Sequence, residues 1–259
     1  MTNNRKLLLP EREQLILQLL GDEVRTIAEL SEQLQVSGAT VRRDLLELEA
    51  QGKVTRVHGG AIRSKFPRAE PFFEEKAVLN TDAKNKIAET ALKFIQNSET
   101  IFLDGGSTVL GLAKILSKKR DVTITVVTNS LMAAAELMES GHKLILIGGE
   151  FRPLSRTIVG VLTAHTVNCL HIDKAFIGTI GFSLEEGIST TDPNEAYTKE
   201  LIMKRAAKVI LMADSSKLGI PSFATSGTIS DIDVIITDPG IPGAMVRELK
   251  KKKIEIYYQ

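Results

Sequence analysis

Ser37-Gly38-Ala39-Thr40-Val41-Arg42-Arg43-Asp44-Leu45 is the stretch that decides how the start of this chain folds. Ser37 or Gly38 breaks the chain, and a helix starts near Ala39. Val41, Leu45 and Leu48, spaced by four and three, make one apolar stripe with Leu46 on its flank. Thr40, Arg42, Arg43 and Glu47 stay off that stripe. Two further helical patterns precede it. From Glu11 to Leu20, the residues Leu15, Ile16, Leu19 and Leu20 share a face, and Gly21-Asp22-Glu23 stops the run. Thr26 is a candidate N-cap with Glu29 at capping-box spacing, for a helix through Ile27, Ala28, Leu30 and Leu34. Two short helices joined by a tight turn, the second with polar and cationic residues near its N-terminus, meet the requirements of major-groove reading. The first turn approaches base edges, while cations and free backbone N–H groups hold phosphates.

Working outward, Lys53-Val54-Thr55-Arg56-Val57-His58-Gly59-Gly60 lacks strict alternation but fits a short hairpin, or wing, ending at the Gly-Gly turn. Its cations would reach the DNA backbone. The candidate DNA contacts are Thr26, Ser37, Ala39, Thr40, Arg42, Arg43, Lys53, Arg56 and His58. A net charge of +1 does not by itself announce a nucleic-acid binder. Its distribution says more. Residues 11–32 are acid-leaning, whereas Arg42, Arg43, Lys53, Arg56, Arg63, Lys65 and Arg68 make 42–68 cationic.

The chain has 259 residues, room for a small and a medium domain. No apolar run approaches a membrane span, and Leu7-Leu8-Leu9-Pro10 is too short for a signal-peptide core. Cys169 is the one cysteine, so an intrachain disulfide is excluded. A cytoplasmic protein with no membrane partner is therefore expected. His58, His142, His165 and His171 show no ligand spacing with Cys169, so neither a metal nor another cofactor is expected.

Ala61 to about Val78, with Pro67 and Pro71, has little periodicity and reads as a linker. The expected organisation is 1–62 DNA-binding domain, 63–77 linker and 78–259 effector-binding and oligomerisation domain. In the last segment, strand patterns at 100–104, 122–128, 143–148, 173–178, 208–213, 233–237 and 254–258 are short apolar runs. Helical patterns at 109–117, 131–139, 195–205 and 244–252 lie between several of them. The fold class is α/β: a small winged helix-turn-helix plus a larger Rossmann-like domain.

Ligands of open α/β sheets sit at the carboxyl ends of the strands. There the chain offers Asp104-Gly105-Gly106-Ser107-Thr108, a phosphate cradle without the Walker lysine, then Thr128-Asn129-Ser130, Gly149 with Arg152, and Asp214-Ser215-Ser216-Lys217. Any one such loop is an ordinary turn, but four at equivalent strand ends favour an anion-accepting site. Lys174 is a further candidate effector contact, equally well explained as a solvated strand end.

Both segments resemble the DeoR family of bacterial regulators. The N-terminal resemblance rests on Arg12, Ile16 and Leu20, on Ser37, Thr40, Val41, Arg42, Arg43, Asp44 and Leu45, and on Arg56, His58, Gly59, Gly60 and Ala61. Residues 78–259 resemble that family's effector domain, itself similar to ribose-5-phosphate isomerase. The resemblance implies a repressor of a sugar or sugar-alcohol operon, working as a dimer or tetramer on double-stranded operator DNA and relieved by a phosphorylated sugar. It also implies effector contacts by Asp104, Gly106, Ser107, Thr108, Thr128, Asn129, Ser130, Asp214, Ser215 and Lys217. The isomerase's acidic cluster is replaced by Ile177-Gly178-Thr179-Ile180-Gly181, and the place of its lysine reads Thr190-Thr191-Asp192-Pro193, with Glu200 loosely in place of its base. Isomerisation needs a base, an acid and a polarising cation together. Binding without turnover is expected, and a sugar-phosphate isomerase with an appended DNA-binding domain is the alternative. Activation in place of repression stays open.

Overall fold

A computed structural model describes residues 9–20, 24–50, 53–64 and 70–258. The expected helix stop at Gly21-Asp22-Glu23, the linker residues 65–69 and the leader residues 1–8 lie outside it. The chain divides into two compact units, Met1–Glu70 and Pro71–Gln259.

In the first unit, α1 (Leu9–Leu19), β1 (Arg25–Thr26), α2 (Ile27–Leu34) and α3 (Gly38–Ala50) precede β2 (Val54–Val57) and β3 (Gly60–Arg63). The helical stripes meet in one core. Ile16, Leu20, Leu30, Leu34, Val41, Leu45 and Leu48 are buried there with Val54 and Ala61. The Thr26–Glu29 capping box opens α2, and Gln35, in the left-handed region at φ 54°, closes it. The three strands pair in the order β1-β3-β2. The hairpin does not end at the Gly-Gly pair. Gly59, at φ +78°, makes the turn, while Gly60 begins β3, where a Cβ would lie 2.2 Å from the carbonyl oxygen of Arg25.

The second unit begins inside the expected linker. Its first helix, α4 (Phe73–Val78), buries Phe73 in the core, so residues 73–77 are part of the domain. There follow α5 (Thr81–Leu92), β4 (Thr100–Leu103), α6 (Ser107–Leu116), β5 (Thr125–Thr128), α7 (Leu131–Leu137) and β6 (Lys143–Leu146). A hairpin, β7 (Glu150–Arg152) and β8 (Thr157–Val159), leads to α8 (Val161–Asn168) and β9 (Ile172–Ile177). Then come β10 (Gly181–Ser183), β11 (Gly187–Thr190), α9 (Pro193–Arg205), β12 (Ala206–Met212), β13 (Ala224–Gly227), β14 (Val234–Thr237), α10 (Gly243–Lys251) and β15 (Glu255–Tyr258).

Among the described residues, the seven strands expected from the apolar runs form one parallel sheet in the order β15-β14-β12-β9-β4-β5-β6. Period-two alternation divides their side chains between two cores. Phe102, Ala175, Ile177, Leu211 and Ile235 enter one, and Ile101, Leu103, Phe176, Ile210, Met212 and Ile236 the other. From β4 the chain builds outward to β5 and β6, then returns to the opposite side of β4 at β9. That reversal between β4 and β9 opens a crevice at their carboxyl ends.

Candidate functional site

In the first unit, α3 sorts its residues sharply. Val41, Asp44, Leu45 and Leu48 are buried, while Ala39, Arg42, Arg43 and Glu47 are exposed and Thr40 is half-buried. Asp44 does not face out with the arginines beside it. Both of its oxygens are held by Arg12 of α1, Nε to Oδ2 at 2.5 Å and Nη2 to Oδ1 at 2.8 Å. The hydrogen bond and charge of Asp44 hold the Arg12 guanidinium above its ordinary pKa against the cost of burial. The clasp takes an acid off the reading surface and ties α3 to α1. Ser37 Oγ accepts from Thr40 N at 3.1 Å and lies 2.9 Å from Thr40 Oγ1, which caps the start of α3. Thr26 is likewise engaged in capping, accepting from Glu29 N at 3.2 Å and donating to Glu29 Oε2 at 3.0 Å. On the hairpin, Lys53 is half-buried, His58 is exposed at the turn, and exposed Arg56 sits 3.6 Å from Glu49.

In the second unit, the crevice between β4 and β9 is a pocket. Its floor is Gly105–Thr108 after β4 and Gly178–Ile180 after β9. The two loops nearly touch. A Cβ on Gly106 would stand 3.3 Å from the Cα of Gly178, and one on Gly105 would overlap Thr157. Gly106 is the N-cap of α6 and offers no side chain to the first N–H groups of that helix, whose residues Ser107 and Thr108 line the pocket. Beneath them Asp104 is buried and accepts from Gly178 N at 2.9 Å and from Lys199 Nζ. Its Oδ1 has no hydrogen-bond partner.

Besides Lys199 on α9, three cations line the pocket: Lys76 on α4, Lys84 on α5 and Lys217 after β12. Lys84 is buried and donates to the carbonyl of Lys76. Burial, together with the like charges of Lys217 and Lys76, pushes its ammonium below the ordinary lysine range, and Asp214 only partly restores it. Asp214 Oδ1 accepts from Asn80 Nδ2 at 2.9 Å and from Ser216. Crowded ammonium groups beside a helix N-terminus are arranged to receive an anion.

Of the effector candidates from the sequence, Gly105, Gly106, Ser107, Thr108 and Lys217 line this pocket with Asp214, and Asp104 lies under it. Thr128, Asn129 and Ser130 do not. They are buried, with Thr128 Oγ1 donating to Leu103 O, Asn129 Nδ2 to Ile158 O, and Ser130 capping α7. Ser215 turns away to Asp238, bonded through Oγ at 2.8 Å, and Ser216 lines the pocket in its place. Gly149, at φ +152°, packs on Thr163. Arg152 lies behind the pocket, 3.3 Å from Glu195 and 3.5 Å from Asp192. Lys174 is bound to Glu99 and to Phe94 O beside the first residues of β4, at the sheet's amino end. Two of the four expected loops therefore build the pocket, and a third comes from Gly178–Ile180.

A family profile described as the DeoR C terminal sensor domain matches residues 79–239, and one described as the DeoR-like helix-turn-helix domain matches residues 12–65. The chain belongs to the DeoR family. It is 35% identical over 247 residues to the HTH-type transcriptional regulator GlpR of Haloferax volcanii, covering 95% of this chain and 96% of that one. It is 34% identical over 248 residues to the putative aga operon transcriptional repressor of Escherichia coli O157:H7, covering 95% and 91%. Ribose 5-phosphate isomerase A from Methanocaldococcus jannaschii superposes with a TM-score of 0.41 at 19% identity, over 54% of this chain and 55% of that one.

This DeoR-family protein is thus a DNA-binding transcription regulator, not an enzyme. Glu200, expected near an isomerase's base, is half-buried, pairs with Lys204 and does not line the pocket. The acid of α9 that does is Glu195, five residues earlier. Sequence reasoning missed Glu195 and Lys199 as contacts, as well as Lys76, Asn80, Lys84 and Ser155. A signal was available for two of the lysines. Lys84 shares a helical face with Ile87, Ala88 and Ala91, and Lys199 with Ile202 and Met203, so each occupies a core position.

Proposed function

We propose that this regulator represses a sugar or sugar-alcohol utilisation operon and that a phosphorylated sugar, bound between α6 and the lysines, relieves the repression. The observation that carries the reading is the convergence of Lys76, Lys84 and Lys217 on the N-terminus of α6 at the sheet's reversal point. A phosphate ester offers the charge and acceptor oxygens that such donors require. The relatives' names, an aga operon repressor among them, support the sugar connection. Arg42, Arg43, Ala39 and Thr40 would meet bases or phosphates, with Ser37, Lys53, Arg56 and His58 on flanking phosphates.

One reading helix covers a short half-site, so useful specificity needs more than one copy. A homo-oligomer formed through the larger unit is part of the proposal. Val161 and Leu162, 85% and 72% exposed at the start of α8, and exposed Phe151 and Leu146 on β7 and β6, are apolar surface for that assembly. No described helix is long and apolar enough to cross a membrane, and the proposed place of work is the cytoplasm, with the DNA.

The test is a gel shift on the operator with a panel of sugar phosphates, run beside light scattering of the free protein. At least one phosphate ester is expected to release the DNA, while the parent sugar does not. If none changes the affinity, the sensing half fails. A monomer that binds the whole operator with full specificity removes the oligomer.

A further inference from the structure

Strand β2 stands at the edge of its sheet, in the order β1-β3-β2. An edge strand turns every second N–H away from its neighbour, where no strand accepts it. The N–H of Arg56 is not left to water. It donates to Glu49 Oε1 of α3 at 3.1 Å. The other oxygen of that carboxylate, Oε2, lies 3.6 Å from Nη1 of the Arg56 guanidinium. One acid of the helix thus holds both the main chain and the charged head of one wing residue.

Charge alone argues against an acid at this place. Glu49 lies seven residues beyond Arg42, about two turns on along the same side of α3. A carboxylate on the side that approaches DNA repels phosphates whatever the sequence. Packing does not direct the wing either. Strand β2 is buried at Val54 and exposed from Thr55 to Val57. Its base is tied to α3 by the main chain, with Lys53 N donating to Leu48 O at 2.9 Å. The Glu49–Arg56 pair is a second tie three residues further on, and two ties fix a direction where one leaves a hinge. With Nη1 turned to Glu49, the Nε–Nη2 edge of the guanidinium remains, a two-donor fork that matches a phosphate.

We infer that Glu49 is a positioning residue for DNA recognition: it fixes the wing to the reading helix, presents Arg56 to one phosphate, and so sets the register in which α3 meets the bases. The inference rests on the reading of Arg56 as a phosphate contact. Such contacts carry no sequence information, but they fix the orientation of a protein on the duplex. An arginine held before binding also loses less rotamer freedom when it binds. The acid therefore lowers affinity for DNA in general and raises the preference for the correct site.

Fluorescence anisotropy with the full-length protein tests this on two duplexes. One is selected by the wild-type protein from a random-sequence pool, and the other is a scrambled duplex of the same length and composition. Glu49→Ala is expected to bind the scrambled duplex as tightly as the wild type or more tightly, because an acid has gone. It is expected to bind the selected duplex about threefold to tenfold more weakly per half-site, the cost of ordering one long side chain during binding. Glu49→Gln loses the same charge but keeps an oxygen for the Arg56 N–H, so it should recover part of the selectivity. Glu49 is exposed, so neither variant removes core packing. In an Arg56→Ala background, Glu49→Ala should change the selectivity no further, since the acid acts through that arginine. Undiminished selectivity of Glu49→Ala overturns the positioning role and leaves the Arg56 contact standing. So does an equal loss in the Arg56→Ala background. An Arg56→Ala protein that binds the selected duplex like the wild type removes the phosphate contact, and the inference falls with it.

Discussion

Arg42, Arg43 and Asp44 stand side by side in the sequence and do opposite work. The arginines are exposed, and Asp44 is buried under two bonds from Arg12. Arg12→Ala leaves that carboxylate buried without its cation, a loss of about 3 kcal/mol. Urea unfolding of the full chain should register it, and Arg12→Lys should recover only part, because an ammonium cannot fork across both oxygens. An Arg12→Ala protein as stable as the wild type would mean the clasp is incidental. Lys84, by contrast, sits where its own burial costs stability. Its ammonium is held below the ordinary lysine value of 10.5, chiefly by burial. The unfolded chain therefore binds more protons at this site than the folded one, and the free protein gains stability from it as pH rises toward 10.5. Phosphate binding has the opposite sign, since only the charged form attracts the anion. Affinity should fall as pH rises, and the fall should set in at a lower pH than for a lysine of ordinary pKa, a trend that titration across pH detects. Lys84→Met should raise the melting temperature of the free protein, by about 1 kcal/mol in stability, and abolish the response to effector. A variant that still responds would remove Lys84 from the site.

At the scale of elements, α3 and the β2–β3 hairpin form the reading surface, and their contributions separate by salt. Arg42→Ala and Arg43→Ala should each cost about 1 to 3 kcal/mol in operator affinity if the lost contact is a bidentate one to a base, with relaxed specificity at that base. A phosphate contact would instead weaken all sequences alike and flatten the salt slope. Operator titrations at several salt concentrations distinguish the two, and full specific binding by the double variant would move the reading helix elsewhere. These elements were legible in the sequence because each carries its own signal: the Thr26–Glu29 cap, the spacing of Val41, Leu45 and Leu48, and the pair Gly59-Gly60. The central strands were legible for a similar reason, since a strand buried on both faces is apolar throughout. Helix α5 was not. Its inner face is Ile87, Ala88 and Ala91 with a buried lysine, too small and too polar for an apolar stripe to stand out. The hairpin β7–β8 and the sheet β10-β11-β13 are made of strands of three or four residues, short enough to pass for loops.

At the scale of the whole molecule, the sequence located the pocket only in outline. Loops after β4 and β12 are marked by turn residues, and so is the loop after β5, yet that last one is buried and engaged in bonds to its neighbours. Turn composition tells where a strand stops and not which way the following side chains point. The cations that complete the pocket come from α4 and α5, in a region whose two prolines and weak periodicity had marked much of it as connection. That placement bears on how regulators of this kind can be recombined. Lys76 lies six residues beyond the last residue of the DNA-binding unit. A hybrid that grafts this sensor onto a foreign reading head at residue 78, where the sequence pattern becomes regular, would discard α4, Phe73 and the first ammonium of the pocket. Such a hybrid should bind its operator and ignore every inducer, whereas a junction just before Pro71 should stay inducible in a reporter strain. The usable seam between the modules lies where the core begins, several residues ahead of where the pattern does.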